Sequence, residues 1–218
     1  MLAKQAGNDM NEDAANRRPI AARESGWARR AAAALARSRI TPDQISAASV
    51  LVAGTGAALL ASRADAASLV GCAICIQLRL ACNLLDGMVA IEGGRASAVG
   101  KLYNELPDRI ADSLLIVALG YACGEAWLGW LGAMLAVFTA YVRAFGGALG
   151  FAQDFRGPLA KQQRMAVLTA GCVIGAAETY WHAQRYALLA AAAIVAAGSA
   201  LTCVARTRAL AAQLRSRA

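Results

Sequence analysis

Three stretches of this sequence carry no charged side chain, and each approaches the length needed to cross a lipid bilayer. They cover residues 45–62, 126–142 and 186–205. A membrane-spanning helix needs about 20 mostly apolar residues, with a range of about 17–25. Only helices and closed barrels satisfy their backbone hydrogen bonds in lipid, and these continuous apolar runs lack the alternation of barrel strands. The sequence therefore predicts an all-α membrane protein.

The charged residues, which make up only 17% of the sequence, predict where the helices begin and end. Six transmembrane helices are expected, at residues 43–62, 66–91, 98–123, 126–147, 165–183 and 186–207. Lys and Arg concentrate at both termini and in the connections after the second and fourth spans, whereas the opposite side has only Arg63 and Arg185. Because cytoplasmic segments carry the excess of Lys and Arg, both termini are predicted in the cytoplasm, with the bundle in an inner membrane. This placement explains the net charge of +8 without nucleic-acid binding.

Three segments are expected along the chain. Residues 1–24 are polar and mixed in charge, which predicts a disordered cytoplasmic tail. Residues 25–207 form the membrane domain, and residues 208–218 form a basic cytoplasmic tail. The domain opens with a basic amphipathic helix at 25–40, which suits the surface of an anionic inner leaflet. A solvated leader is the alternative interpretation of that helix.

The second and third predicted spans contain charged side chains that an ordinary transmembrane helix excludes. They are Arg79, Asp86, Glu105, Asp108, Arg109 and Asp112. Each costs about 2.5–3.5 kcal/mol near the bilayer centre on insertion scales, so such residues face a cavity and partners. A four-residue period places one set on a single helix face, at Gly100, Asn104, Asp108 and Asp112. The short connection at 92–95 makes the two helices antiparallel neighbours, so this face can meet Asn83 and Asp86.

Carboxylates gathered in one pocket repel each other unless a cation neutralises them. Hard oxygen ligands of this kind suit Mg²⁺ or Mn²⁺, and a bound Mg²⁺ commonly holds a substrate phosphate as well. Buried ion pairs, such as Arg79 with Asp86 and Arg109 with Asp112, are the alternative explanation. A second group of cations, Arg143, Lys161 and Arg164, is expected at the cytoplasmic ends of the fourth and fifth spans. That group would suit an acceptor that carries a phosphate, although ordinary positive-inside anchoring explains it too.

The spacing of these residues resembles the signature of the CDP-alcohol phosphatidyltransferase family, D-x-x-D-G-x-x-A-R, eight residues, then G-x-x-x-D-x-x-x-D. The matching positions here are Asn83, Asp86, Gly87, Ala90, Ile91, Gly100, Asn104 and Asp108, and the interval of eight residues is kept. The strong resemblance covers about 30 residues. Segments 41–46 and 157–164 also resemble parts of bacterial members, and six spans fit the family.

Three signature positions depart from the family pattern. Asn83 and Asn104 stand where the family has Asp, and Ile91 stands where it has Arg. An amide oxygen can ligate Mg²⁺ but brings no negative charge. Glu105 and Asp112 are additional acids that could compensate, so the resemblance leaves open whether one or two ions bind.

The resemblance implies metal-dependent transfer of a phosphatidyl group from a CDP-linked lipid to an alcohol, with release of CMP, in phospholipid biosynthesis. The implied metal ligands are Asp86, Asn83, Asn104 and Asp108, with Glu105 and Asp112 as candidates, and the ion is Mg²⁺ or Mn²⁺. Asp108 is the implied general base. Gly87, Ala90 and Gly100 would lie against the nucleotide, although helix packing explains the glycines equally well. Arg109, Arg143, Lys161 and Arg164 would bind phosphate or the acceptor.

The expected partners are a CDP-diacylglycerol-like lipid, a small alcohol that is phosphorylated or not, and membrane lipids, with a homodimer as an option. Three other interpretations stay open. A degenerate family member would bind nucleotide or lipid without turnover, as Asn83 and Asn104 allow. An intramembrane prenyltransferase also uses Asn and Asp with Mg²⁺, but usually in two separated motifs. A cation-coupled transporter would spread its acids over more spans.

Overall fold

The computed structural model of the protein describes residues 25–92, 99–181 and 186–217. Its helices are α1 (Gly26–Ala36), α2 (Pro42–Ser62), α3 (Ala66–Glu92), α4 (Gly100–Ala122), α5 (Ala126–Ala148), α6 (Lys161–Glu178) and α7 (Tyr186–Arg215). No strand occurs in these ranges, which confirms the all-α class. The predicted tail at 1–24 and most of the predicted turn at 92–95 lie outside the described residues.

Four of the six predicted spans agree with α2 to α5 to within two residues at each end. The fifth differs, because α6 covers Lys161–Glu178 rather than 165–183. Arg164 looks like a membrane boundary in the sequence, but it lies within α6, and its side chain is buried in the protein and pairs with Asp112. The last helix continues to Arg215, so the predicted domain boundary at 207 falls within α7.

Within the part of the chain that the structure describes, four helices are long and apolar enough to cross a membrane, namely α2, α3 as far as Ile91, α5 and α7. They fit a multi-pass membrane protein. The helices α4 and α6 differ because they carry the charged side chains of the site described below, and α6 has only 18 residues. The count of six spans therefore stays a prediction.

The six long helices pack as a closed ring in the order α2, α3, α6, α7, α5, α4. Helix α4 also contacts α6 and α7 across the ring, which makes it the element with the most neighbours. The apolar core lies within this ring and includes Leu60, Ile76, Leu115, Leu168 and Val195. Successive helices run in opposite directions, so the start of α4 and α6 meets the end of α3 and α5 at one end of the bundle.

Local sequence signals explain where α2 and α3 begin. Thr41 accepts a hydrogen bond from the Gln44 backbone at 3.2 Å, and the Gln44 side chain accepts one from the Thr41 backbone at 3.1 Å. Pro42 follows at the first helical position, where its missing N–H costs nothing. Before α3, the Asp65 carboxylate accepts the Ser68 backbone N–H at 2.8 Å, and this hydrogen bond lowers the pKa of Asp65.

Helix α1 packs against α3 through small side chains. Ala28 and Ala32 are fully buried, in a cluster with Leu84 and Val89. Trp27 faces away from the protein and is 54% exposed. The helix ends at Ala36 rather than continuing to residue 40. Its contact with the membrane surface stays a prediction.

Candidate active site

Asp86 lies near the C-terminal end of α3 as a buried carboxylate, with 2% of its surface exposed. Its Oδ2 accepts a hydrogen bond from the Ser46 hydroxyl of α2 at 2.5 Å. Its Oδ1 accepts a weak one from the Asn104 amide of α4 at 3.4 Å. No cationic side chain among the described residues forms a salt bridge with Asp86. A buried carboxylate without a cation is costly, so this position favours a positively charged ligand.

Asp108 lies on α4 and has cationic neighbours on both of its carboxylate oxygens. Oδ1 accepts hydrogen bonds from the Asn83 amide at 2.7 Å and from Arg79 Nη2 at 3.3 Å. Oδ2 forms an ion pair with Lys161 Nζ, at the first residue of α6. Arg109 Nη2 lies 3.9 Å from the same oxygen. Asp108 therefore joins α3, α4 and α6 at one point.

The four signature positions thus form two crossed pairs between α3 and α4. Asn83 of α3 binds Asp108 of α4, and Asn104 of α4 binds Asp86 of α3. The side chains of the two helix faces converge as predicted, but α3 and α4 are not adjacent in the ring, where α2 packs between them. Each asparagine donates through its amide nitrogen here, and half a turn of the amide would present the carbonyl oxygen instead.

Asp112 lies one turn further along α4, in a buried charge cluster that shares Arg79 with Asp108. Arg79 Nη2 lies 2.6 Å from its Oδ1, and Arg164 Nη2 lies 3.4 Å from its Oδ2. Arg79, Arg164 and Asp112 are each 2% exposed or less. The sequence offered the alternative pairs Arg79 with Asp86 and Arg109 with Asp112, and neither pair forms. Arg79 pairs with Asp112 instead, and Arg109 lies beside Glu105 and Asp108. Asp112 is occupied by two arginines, which gives it a structural explanation.

Glu105 faces a more open side of the site, where its side chain is 43% exposed. Both of its oxygens accept hydrogen bonds from Arg143 Nη2 of α5, at 2.7 and 2.8 Å. Arg109 lies 3.2 Å from the same carboxylate. Arg143 also donates to the Gln153 side chain at 3.1 Å. Glu105 therefore positions two of the predicted phosphate-binding cations.

The predicted nucleotide-binding positions Gly87, Ala90 and Gly100 are partly exposed. A Cβ added to Gly87 would meet no atom within 4 Å, so helix packing does not require glycine there. A close helix contact occurs instead between Gly120 and Gly129, for example, where a Cβ on Gly120 would lie 2.6 Å from the Gly129 backbone. The free space beside Gly87 favours the binding explanation over the packing explanation.

Several contributors to the site are absent from the set of candidates drawn from the sequence. Ser46 lies in the segment 41–46 that resembles the family. That resemblance is the signal in the sequence that could have identified Ser46 as a site residue. Arg79 stands out as a charge in an apolar span, but nothing in the sequence identifies its partners. Arg206 donates to the backbone carbonyls of Arg156 at 2.9 Å and Thr139 at 2.8 Å. It holds the connection between α5 and α6, although it looks like a tail residue in the sequence.

The site suits a divalent cation by its donor chemistry. Within the described ranges, no three Asp, Glu, His or Cys side chains converge as a ready-made metal site. This follows from the asparagines, which leave only two carboxylates at the four signature positions. The oxygens of Asp86 and Asp108 and the amide carbonyls of Asn83 and Asn104 are nevertheless ligands that Mg²⁺ and Mn²⁺ accept. The residues therefore fit such an ion, with Asp86 as its anionic anchor.

The sequence matches no protein-family model and no curated protein. The fold, however, is similar to that of phosphatidylinositol phosphate synthase from Mycobacterium tuberculosis. One structure of that enzyme, with CDP-DAG bound, matches with a TM-score of 0.70 at 20% identity, covering 84% of this chain and 92% of that chain. Another, in complex with manganese and citrate, matches with a TM-score of 0.67 at 20% identity, covering 82% and 86%. The similarity extends over nearly the whole of both chains and establishes a common fold.

Proposed function

We propose that this protein is a membrane enzyme that transfers a phosphatidyl group from a CDP-linked lipid to an alcohol and releases CMP. The observation that carries the proposal is the convergence of Asp86 and Asp108 at one end of this helical ring, beside the buried cations that contact Asp108. The similarly folded synthase has been crystallised with CDP-DAG and with manganese. The spacing of the signature residues supports the same class of reaction.

Asp86 and the carbonyl oxygen of Asn104 would hold the proposed metal, Mg²⁺ or Mn²⁺, and Asn83 and Asp108 complete the set of candidate ligands. When bound, it neutralises the pyrophosphate and favours departure of CMP. Asp108 removes the proton of the acceptor hydroxyl, whose oxygen bonds to the lipid-side phosphorus as the bond to CMP breaks. Lys161 and Arg79 contact this carboxylate and hold it in position.

The surroundings suit an anionic substrate. The Nε atoms of Arg79, Arg109 and Arg164 are buried and have no hydrogen-bond partner among the described residues. Buried N–H groups without acceptors are rare because each carries a desolvation cost. Arg109, which lies beside Asp108 and Glu105 on the more open side, therefore suits a ligand that supplies oxygens. Arg109, Arg143, Lys161 and Arg164 are proposed to bind phosphate, and the acceptor is proposed to be a phosphorylated alcohol. The nucleotide is proposed to lie along Gly87, Ala90 and Gly100.

The proposed setting is an inner membrane that all six long helices cross, with both termini in the cytoplasm. The site residues occupy the starts of α2, α4 and α6 and the ends of α3 and α5, so they all lie at one end of the ring. The excess of Lys and Arg at that end favours the cytoplasmic side. Soluble CMP and a phosphorylated acceptor can exchange freely there.

The test is CMP release from purified protein given CDP-diacylglycerol, Mg²⁺ and a panel of alcohols with and without phosphate. Asp86→Asn and Asp108→Asn are each expected to lose nearly all activity while keeping the wild-type elution profile. Chelation with EDTA should stop turnover, and Mg²⁺ or Mn²⁺ should restore it. Full activity in either variant, or turnover that persists in EDTA, would contradict the site assignment.

A second function, binding of a CDP-lipid without turnover, is favoured by one observation. Asn83 and Asn104 donate N–H groups to the two signature carboxylates, which neutralises them in part without a metal. This alternative predicts saturable binding of CDP-diacylglycerol with no release of CMP for any acceptor in the panel. Multiple turnovers with one acceptor would exclude it.

A further inference from the structure

The two signature carboxylates have different electrostatic surroundings. Asp108 contacts Lys161 and Arg79, whereas no cationic side chain among the described residues pairs with Asp86. From this asymmetry we infer that the site holds one divalent cation, against Asp86, and that Lys161 supplies the second positive charge, at Asp108. The inference rests on the metal-dependent function proposed above and specifies how many ions serve it.

The hydrogen bonds of the two asparagines show the same asymmetry between the Asp108 side and the Asp86 side. Asn83 donates to Asp108 at 2.7 Å, a short hydrogen bond that commits its amide as a donor. Asn104 donates to Asp86 at 3.4 Å, which is long for an N–H···O bond and holds the amide weakly. The Asn104 amide can therefore turn and present its carbonyl oxygen to an ion beside Asp86. Asn104 thus adds a carbonyl ligand on the Asp86 side of the site, whereas Asn83 stays a hydrogen-bond donor to Asp108.

Ser46 prepares Asp86 for this role. Its hydroxyl donates to Oδ2 at 2.5 Å and fixes the orientation of the carboxylate, which leaves Oδ1 facing Asn104. A hydrogen bond to the outer oxygen of a ligating carboxylate is the usual support for a metal ligand. Because Ser46 is uncharged, it orients Asp86 without supplying the positive charge that the carboxylate lacks.

The Asp108 side is already neutralised by protein groups. Oδ2 pairs with Lys161, and Oδ1 accepts from Arg79, whose side chain is fully buried. A second divalent ion there would have to displace the Lys161 ammonium and lie beside the Arg79 guanidinium, and like charges repel strongly away from water. Two further carboxylates could balance that charge, but Asn83 and Asn104 stand at those positions.

The first turn of α6 fixes Lys161 in place. Arg164 Nη1 donates to the Leu159 carbonyl at 3.0 Å, and the Leu159 N–H donates to the Thr202 hydroxyl of α7 at 3.0 Å. These two contacts anchor the residues just before Lys161. An ammonium on a fixed helix start is a compact point charge with three donors, so it can hold Asp108 and still meet a phosphate oxygen.

The experiment measures Mn²⁺ binding to the purified full-length protein in detergent micelles, by electron paramagnetic resonance without substrate. The wild type should bind one Mn²⁺ per chain. Asp86→Asn should weaken Mn²⁺ binding by more than about tenfold, because loss of a ligand costs at least as much as the 10–100-fold loss caused by an outer-sphere change. Asp108→Asn should retain Mn²⁺ although it loses turnover. The triple variant N83D/N104D/K161M should bind two ions.

Two Mn²⁺ per wild-type chain would overturn the inference, as would no Mn²⁺ or equal loss of binding in the two aspartate variants. A triple variant that binds only one ion would overturn the role given to Lys161. The wild-type stoichiometry needs no variant to fold, so the inference stays testable if a substitution proves unstable. A wild type that binds one Mn²⁺ but releases no CMP would contradict the proposed transfer and leave the stoichiometry standing.

Discussion

At the scale of single residues, the same side chain chemistry has different uses one helical turn apart. Asp108 and Asp112 lie on one face of α4, and both contact Arg79. Asp108 also reaches Asn83 and Lys161, where substrate phosphates are proposed to bind. Asp112 is enclosed by Arg79 and Arg164 and is 2% exposed. The residues that surround each carboxylate, rather than its position in the four-residue period of α4, distinguish the proposed catalytic carboxylate from the structural one.

Asp112→Asn is expected to destabilise the protein without changing its metal binding. Removing one partner from a buried charge cluster costs about 3–5 kcal/mol, because the remaining arginines lose their counter-ion. Thermal unfolding in detergent and Mn²⁺ affinity are the two measurements. Loss of Mn²⁺ binding in a variant of wild-type stability would show that Asp112 ligates the metal, as the sequence allowed.

Glu105→Gln is the counterpart of Asp112→Asn, because it neutralises a carboxylate of α4 on the more open side of the site. We expect it to keep the wild-type unfolding temperature and Mg²⁺ requirement, and to raise the KM for a phosphorylated acceptor, because Arg143 and Arg109 lose the carboxylate that positions them. The comparison is made from initial rates at varied Mg²⁺ and varied acceptor. A sharply weaker Mg²⁺ dependence would instead favour the compensation hypothesis, in which Glu105 replaces the charge lost at Asn83 and Asn104.

At the scale of helices, two glycines in the bundle have opposite environments. Gly120 lets α4 approach α5 so closely that its added Cβ would lie 2.6 Å from the Gly129 backbone. Without a hydrophobic driving force between helices in lipid, such close backbone packing is a main source of association. Gly87 has free space beside it on α3. One glycine therefore serves packing, and the other leaves room for a ligand.

Gly120→Ala and Gly87→Ala form a matched pair that tests this difference. The first should lower the unfolding temperature, since overpacking costs about 1–3 kcal/mol when neither backbone can move away. The second should leave the unfolding temperature unchanged and raise the KM for the CDP-linked lipid. Unfolding in detergent and steady-state kinetics give both readouts. Equal destabilisation by both substitutions would assign Gly87 to packing as well.

At the scale of the whole molecule, the ring brings charges from separate helices to one end. Helix α4 takes part in most of these contacts, because it touches α2, α5, α6 and α7. The charges that make α4 a weak transmembrane helix by composition are the ones its neighbours neutralise. Its membrane insertion is therefore expected to depend on the surrounding apolar helices.

Reporter fusions that locate the termini and one connection test the predicted topology. Reporters fused to either terminus should be cytoplasmic, and a reporter inserted in the connection at 63–65 should be on the other side of the membrane. Six crossings return the chain to its starting side, whereas an odd number would not. Termini on opposite sides would contradict both the count of six spans and the proposed cytoplasmic site.

The sequence by itself determined the all-α class, the bounds of α2 to α5 and the meeting of Asn83 and Asp86 with Asn104 and Asp108. The class and the helix bounds depend on local hydropathy and helix starts, and the meeting depends on the spacing of the four residues along α3 and α4, which are all readable along the chain. Only the tertiary structure decided that Lys161 pairs with Asp108, that Arg164 and Arg79 enclose Asp112, and that Glu105 faces Arg143. These contacts join residues up to 53 positions apart. They depend on the order of helices in the ring, which the hydropathy of individual helices does not encode.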